Sequence, residues 1–145
     1  MALTNIMTAR QEIIDVLKDK FPQYANYILP LNSDTEIEQN ANFSPAIFVH
    51  FNGYTVLAEA GDSQSTIREI TWGVYIVYRD KRGAIYTNDQ AGQLMLEIDM
   101  TLQGFRPTGY FRALMGGKAP APYPINEQGA MLYPLIFTGK FSLTR

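Results

Sequence analysis

Few side chains in this sequence could carry catalysis or hold a metal ion. The chain of 145 residues has no cysteine and a single histidine, His50. Without cysteine there are no disulfides, thiol nucleophiles, cysteine zinc sites or iron–sulfur clusters. A histidine base needs a nucleophile and an orienting carboxylate nearby, whereas His50 lies within a predicted strand beside Phe51. We expect His50 to be a bystander on the less buried face of a sheet, and we predict no catalytic residue.

Two other patterns look like parts of ligand sites, and both are incomplete. Asp34, Glu36 and Glu38 could contribute to a hard-cation site, but a calcium loop needs more oxygen ligands and a sharp glycine turn. No glycine occurs in residues 32–51. The run from Gly116 to Lys118 resembles the end of a phosphate-binding loop, but the earlier glycine and the following Ser or Thr are missing. The sequence therefore predicts no metal and no cofactor.

Composition and charge restrict the classes of partner. Hydrophobic residues make up 46% of the chain and charged residues 18%, with 12 Lys and Arg against 14 Asp and Glu. This is the composition of a globular protein, and it lacks the basic excess that captures nucleic acid. The apolar runs are far shorter than the roughly 20 residues that span a bilayer. We expect one domain over residues 1–145, soluble in the cytoplasm and without a membrane partner.

The first predicted helix follows from apolar residues at three- and four-residue spacing. Thr4 or Asn5 can cap it, and it runs to Lys20, where Pro22 stops it. A helix of this length draws most of its stability from burying one face against a partner surface.

The second predicted helix is capped by Asn88 or Asp89 and ends near Gly104. Its apolar face is formed by Ala91, Leu94, Met95, Ile98 and Leu102. We also assign Met100, together with Met95 and Trp72, to the core. Glu97 and Asp99 fall on different sides of this helix, so they are not a paired acid and base.

Alternating apolar residues predict strands at 27–29, 46–51, 66–79 and 130–143, and a short one at 110–114. The region from Ala46 to Arg79 is predicted to form an antiparallel hairpin with a protruding tip, and a bulge near Asn52 continues its first strand. Pro134 and Gly139 indicate an edge or a bulge in the last strand.

The order of helix, strands, helix and strands predicts an α+β domain, with both helices on one face of a mainly antiparallel sheet. Residues 32–44 and 116–129 are predicted to be long loops. Loops of this length in a compact domain commonly carry function.

Several segments together indicate a family. They are Lys20-Phe21-Pro22, the strand opening Ser44-Pro45-Ala46-Ile47-Phe48-Val49, the strand ending Tyr75-Ile76-Val77-Tyr78-Arg79-Asp80, the helix at 88–103 and the closing Leu135-Ile136-Phe137-Thr138-Gly139-Lys140-Phe141. With these elements, nearly the whole chain resembles the tail terminator proteins of long-tailed bacteriophages, in particular the small family found in Mu-like phages and prophages.

The resemblance implies a structural subunit of the virion tail with no catalytic residue. Such subunits assemble as a homo-oligomeric ring, typically a hexamer, on the head-proximal end of the tail tube. The ring stops tube polymerisation and provides the surface that joins the head–tail connector. The implied partners are further copies of the chain, the tail tube protein and the connector protein. DNA would pass through the ring without sequence-specific recognition, and assembly would take place in the host cytoplasm.

Loop length and charge predict where these contacts lie. The expected surfaces are the hairpin tip from Ala58 to Thr66, a charged turn after the second strand of the hairpin, and the loop at 116–129. The predicted interface residues are Asp62, Gln64, Arg79, Lys81, Arg82, Lys118 and Tyr123.

Three other functions are open from the sequence. A head-completion or connector protein of the same particle would share the small α+β character and the ring symmetry. A small-molecule enzyme would use His50 or a carboxylate. A general binding module would take a peptide strand on an open sheet edge.

Overall fold

The computed structural model describes residues 3–33, 36–37, 45–57, 66–79, 83–125 and 129–143. In chain order the elements are α1 (Thr8–Lys20), a 3-10 helix (Pro22–Tyr27), β1 (Ile28–Pro30), β2 (Ala46–Val56), β3 (Ile67–Tyr78), α2 (Ala84–Leu102), β4 (Met115–Gly117), β5 (Tyr123–Pro124) and β6 (Met131–Ser142).

One sheet connects all the strands. Its order is β1-β2-β3-β6-β4, and β5 also pairs with β6. The β1 and β2 pair is parallel, and the other pairs are antiparallel. Buried residues of both helices and of one face of β2, β3 and β6 form a single hydrophobic cluster. The predicted α+β fold, with both helices on one face of a mainly antiparallel sheet, is confirmed.

Helix α1 packs on this sheet face through the predicted stripe. Its buried residues Ala9, Ile13, Ile14 and Leu17 lie on one side. The assignment of Thr4 or Asn5 as the cap was wrong, because the N-cap residue is Met7 and no side chain caps the helix. The side chain of Asn5 instead accepts a hydrogen bond from the Met7 backbone N–H at 2.9 Å, in the turn before the first helical residue, Thr8. The helix ends at Lys20, as predicted, because Pro22 starts a separate 3-10 helix.

Helix α2 begins earlier than predicted, and the assignment of Asn88 or Asp89 as its cap was wrong. Gly83 precedes the first helical residue with a positive φ of 120°. Its carbonyl accepts hydrogen bonds from both the backbone N–H and the hydroxyl of Thr87, at 3.0 and 3.1 Å. The side chain of Asn88 instead accepts the Tyr133 hydroxyl, which ties α2 to β6. The C-terminal end is as predicted, with Gly104 at a positive φ of 87°.

The β2 and β3 hairpin confirms the strongest strand prediction. Ile70, Trp72, Val74 and Ile76 of β3 are fully buried on the helix-covered face. The pairing register shifts between Phe51 and Gly53, which is the predicted bulge. The predicted turn at 61–65 lies outside the described residues.

Strand β6 contradicts two predictions. It pairs with β3 along its whole length on one side and with β4 and β5 on the other, so it is neither an edge strand nor bulged against β3. Pro134 lies between the β6 residues that pair with β5 and the β6 residues that pair with β4. It therefore stands at the gap between β5 and β4, where β6 needs no N–H to pair with either strand. Gly139 lies under the ring of Tyr110, where a Cβ would collide with ring carbons.

The segment after α2 also differs from the prediction of a strand at 110–114. Tyr110 forms an isolated bridge with Phe141, and the regular strand starts at Met115. The Trp72 indole N–H donates to the Tyr110 hydroxyl at 3.1 Å within the core. Burial raises the pKa of Tyr110 to about 12, with the charge of Glu12 adding to the rise and the Trp72 bond opposing it. This side chain therefore fixes the loop to the sheet.

The face of the sheet opposite α1 and α2 is partly covered, as the mixed character of β3 predicted. Phe48, Val77 and Leu132 are buried there in a second cluster. Ile37 joins this cluster and is 8% exposed, although we expected residues 32–44 to be a solvated loop. Asn32 and Ser33 are exposed, and most of that segment lies outside the described residues.

The predicted loop at 116–129 contains the end of β4 and all of β5, both paired with β6.

Candidate interaction surfaces

His50 has no catalytic surroundings among the described residues. It lies half-buried on the sheet face opposite α1 and α2, and its Nδ1–H donates to the side-chain oxygen of Asn52. That oxygen also accepts the Tyr75 hydroxyl at 3.0 Å. An amide in this position is neither a nucleophile nor an orienting carboxylate. The polar contacts of His50 therefore stabilise the bulge in β2.

Two further features of the described residues concern metal and small-ligand sites. No group of three or more His, Cys, Asp or Glu side chains among them could hold a metal ion. One polar cleft of about 150 Å³ lies between the 3-10 helix and α2, lined by Gln23, Tyr24, Tyr78, Gln90, Gln93, Leu94 and Glu97. Pockets for drug-sized ligands usually enclose roughly 300–1,000 Å³. This cleft is too small to be a substrate site of that class.

Three of the seven predicted interface residues lie within the part of the chain that the structure describes. Asp62, Gln64, Lys81 and Arg82 lie outside the described residues. Arg79 is exposed directly after β3, and Lys118 is exposed between β4 and β5. Tyr123, in β5, is 48% exposed.

The strand register brings two of these residues to the same end of the sheet. Tyr123 pairs with Leu132, and Leu132 pairs with Val77, two residues before Arg79. The hairpin connection between β2 and β3 is at the opposite end of β3, a distance of about 37 Å at a rise of about 3.4 Å per residue. Of the predicted residues that the structure describes, Arg79 and Tyr123 therefore lie at the end of the sheet away from the hairpin connection.

Sequence reasoning missed an apolar surface at the hairpin end of the sheet. We call it the hairpin-end patch; it consists of Tyr54, Val56, Phe111 and Leu143, which are 41%, 54%, 42% and 40% exposed. Ordinary soluble surfaces carry such residues singly, and a cluster of them marks an interaction site.

Pairings across the strands place these residues at the same end of the sheet. Val56 pairs with Arg68, and Arg68 pairs with Phe141. The ring of Tyr54 is 6.4 Å from that of Phe141. The Phe111 and Leu143 backbone N–H groups donate to Lys140 and Thr66 carbonyls, respectively, which keeps both residues at the same end.

A second exposed apolar surface lies on α2. Leu96 and Met100 are 60% and 65% exposed, and we call this pair the α2 ridge. Successive helical residues are about 100° apart, so both side chains point almost directly away from the buried Ile98. The assignment of Met100 to the core was wrong, whereas Met95 packs against the core and Trp72 is fully buried. The sequence signal for this surface was a pair of apolar residues four positions apart on the side of the helix opposite its core stripe.

The two apolar surfaces have opposite charge. Helix α2 contains Asp89, Glu97 and Asp99 and no Lys or Arg. At the hairpin-end patch, Arg112 lies with its guanidinium carbon 5.8 Å from the centre of the Phe111 ring. The Arg68 Nε–H donates to the Tyr54 hydroxyl at 3.1 Å. Among the described residues, the α2 ridge is therefore flanked by acidic side chains, and the hairpin-end patch is flanked by two arginines.

No described helix is both long and apolar enough to cross a membrane. No curated protein sequence matches the chain. A family model described as Phage tail terminator protein matches residues 4–145. The match extends over essentially the whole chain, confirms the resemblance seen in the sequence, and places the protein in a family of phage structural proteins found in the virion tail. The chain belongs to the phage tail terminator protein family.

Proposed function

We propose that this protein binds the head-proximal end of the tail tube as a ring of identical subunits, ends tube polymerisation and forms the surface that joins the head. The observation that carries the proposal is the family match over residues 4–145. The ring is expected to be a hexamer, assembled in the host cytoplasm with the tail tube protein below it and the connector protein above it.

The physical basis of termination is an unequal pair of surfaces. A tube grows because each added ring presents the surface that the next ring recognises. Growth stops when a bound ring matches the tube below it and does not reproduce the tube surface above it. This activity requires shape and charge complementarity and no bond-making step.

The test is electron microscopy of particles made without the protein. A terminator is expected to leave overlong tubes, because nothing then stops polymerisation. Tails of normal length that fail to attach to heads would contradict the proposal and support a head-completion protein. Complementation with the wild-type chain should restore tail length, and complementation with His50→Ala should restore it equally.

A second test addresses the predicted joining surface. Lys81→Glu combined with Arg82→Glu is expected to weaken head attachment while the subunit stays folded and tails keep their length. Lys20→Glu, at the exposed end of α1, is a charge-reversal control at a distant site and should have no effect. Normal phage yield and tail morphology for the double variant would remove Lys81 and Arg82 from the joining surface.

A further inference from the structure

We propose that the hairpin-end patch of one subunit packs on the α2 ridge of the next subunit in the ring. This inference rests on the proposed ring and specifies the two surfaces that meet in it. The partner is a second copy of this chain.

The first argument is that the side chains of the α2 ridge are exposed and do not pack in the core. Leu96 and Met100 are more exposed than any other large hydrophobic side chain of the described residues. Gly92 lies one turn before Leu96, and apart from its chain neighbours and the helix's own backbone no atom is within 4 Å of the place where its Cβ would be. The helix surface beside Leu96 therefore has room for the side chains of an incoming partner.

The second argument is symmetry. A closed ring of identical subunits uses heterologous contacts, in which two unlike surfaces of the chain meet at each junction. The α2 ridge faces away from the sheet, while the hairpin-end patch lies at the end of the strands. The two surfaces therefore do not overlap, and one subunit can use both at once, each toward a different neighbour.

The third argument is charge complementarity. The ridge is flanked by Glu97 and Asp99 on a helix without a basic residue. The patch carries Arg68 and Arg112, both bound to its own aromatic residues. Opposite charge around an apolar centre favours the correct pairing, and like charge opposes ridge-to-ridge and patch-to-patch pairing. The occupant that fits the ridge is thus the patch of another copy.

Disulfide crosslinking tests the contact, because the natural chain has no cysteine. A chain with Leu96→Cys and Val56→Cys should, after mild oxidation, give a ladder of covalent dimers, trimers and larger oligomers up to the ring. The single variants should give no ladder, because one cysteine can join at most two chains. The control pair combines Leu96→Cys with Met115→Cys, since Met115 is 54% exposed on β4, and no ladder is expected from it.

Crosslinking is carried out on the free protein and on purified tails carrying the double variant, so that assembly only on the tube is also detected. A ladder in either preparation supports the contact. Its absence in both, a ladder from the Met115 pair instead, or efficient dimers from a single variant would overturn it.

Mixing variants gives an independent result. A ridge variant, Leu96→Glu with Met100→Glu, and a patch variant, Val56→Glu with Leu143→Glu, each keep one intact surface. Each is expected to fail to form rings alone, and their mixture should stop at a one-to-one dimer. Ring formation by either variant alone would contradict the inference.

Tail length separates failure of this inference from failure of the proposed function. Overlong tubes in the absence of the protein, together with no crosslinked ladder, would support termination and reject these surfaces. A ladder together with normal tails in the absence of the protein would support the surfaces and reject termination.

Discussion

Replacement of Gly139 by alanine is expected to lower the free energy of unfolding substantially, although the change adds one methyl group to a strand. A Cβ at this position would meet the Tyr110 ring, lying 2.6 Å from its Cδ2 atom and 3.0 Å from a methyl carbon of Leu114. The ring cannot move aside easily, because Tyr110 is 3% exposed and its hydroxyl accepts the Trp72 indole N–H.

Two contributions add to the effect. Overpacking of a close-packed core costs about 1–3 kcal/mol. If the Tyr110 ring shifts to relieve the clash, the buried Trp72 N–H loses its acceptor, which costs about 1–3 kcal/mol more. Their sum is about 2–6 kcal/mol, a large part of the stability of a domain of this size.

Urea unfolding followed by tryptophan fluorescence measures this change, because Trp72 is the only tryptophan and is fully buried. Gly53→Ala, in β2, is the matched control: no atom lies within 4 Å of its added Cβ. We expect the control to change the free energy of unfolding by less than about 1 kcal/mol. Equal effects of the two substitutions would refute the proposed clash.

A second background tests the cause. In a Tyr110→Ala chain the ring is absent, so adding Gly139→Ala should cost at least about 1 kcal/mol less than it does in the natural chain. Full additivity of the two substitutions would show that the effect of Gly139→Ala does not arise from the ring.

Three further predictions concern stability. Burial raises the pKa of Tyr110 from its ordinary value of 10.0 to about 12, so the hydroxyl loses its proton at lower pH in the unfolded chain than in the folded one. The free energy of unfolding should therefore fall by up to about 2 kcal/mol as the pH rises from below 10 to about 12. Tyr110→Phe should reduce this fall. Glu12 accepts hydrogen bonds from the Thr108 backbone N–H at 3.2 Å and from the Thr108 hydroxyl at 2.9 Å. Glu12→Ala should therefore lower the midpoint of urea unfolding, which corresponds to a loss of about 1 kcal/mol in the free energy of unfolding. In a double-mutant cycle, Thr108→Ala should then cause almost no further loss in the Glu12→Ala chain. Leu96→Ser and Met100→Ser should each change the free energy of unfolding by less than about 0.5 kcal/mol, because both side chains are largely exposed; a loss above 2 kcal/mol would place them in the core.

The parts of the fold that could be predicted from the sequence are those in which the pattern and the packing coincide. The β2 and β3 hairpin follows from alternation, since every second residue from Ile70 to Ile76 is buried between sheet and helices. The bulge at Asn52 follows from a turn-like pair inside an apolar run that continues beyond it. Helix α1 has a regular stripe and a proline stop, which are local signals.

The predictions that failed depended on contacts between distant parts of the chain. Pro134 and Gly139 are typical of edge strands, but the Tyr110 ring explains the glycine and the gap between β4 and β5 accommodates the proline. Helix α2 starts after Gly83 without a capping side chain, so Asn88 offered a stronger local signal at the wrong place.

The candidate surfaces could be predicted only in part. Loop length predicted contacts at the hairpin tip, and the described residues beside the tip include exposed apolar side chains. The apolar residues that form this patch come from three separate segments, so no sequence window contains them. The α2 ridge was within reach, because Leu96 and Met100 stand four residues apart on the side of the helix opposite the core stripe.

The position of β6 inside the sheet has a consequence for the order of folding. Ile67 pairs with Ser142, and Tyr78 pairs with Met131. Every residue pair between β3 and β6 therefore joins positions that are far apart in the sequence. Such distant pairing forms slowly compared with a local hairpin. The β2 and β3 hairpin is therefore expected to form first, with the free side of β3 open until β6 arrives. During that interval the unpaired backbone of β3 can add a strand from another chain, which makes nascent subunits vulnerable to aggregation when many are synthesised at once.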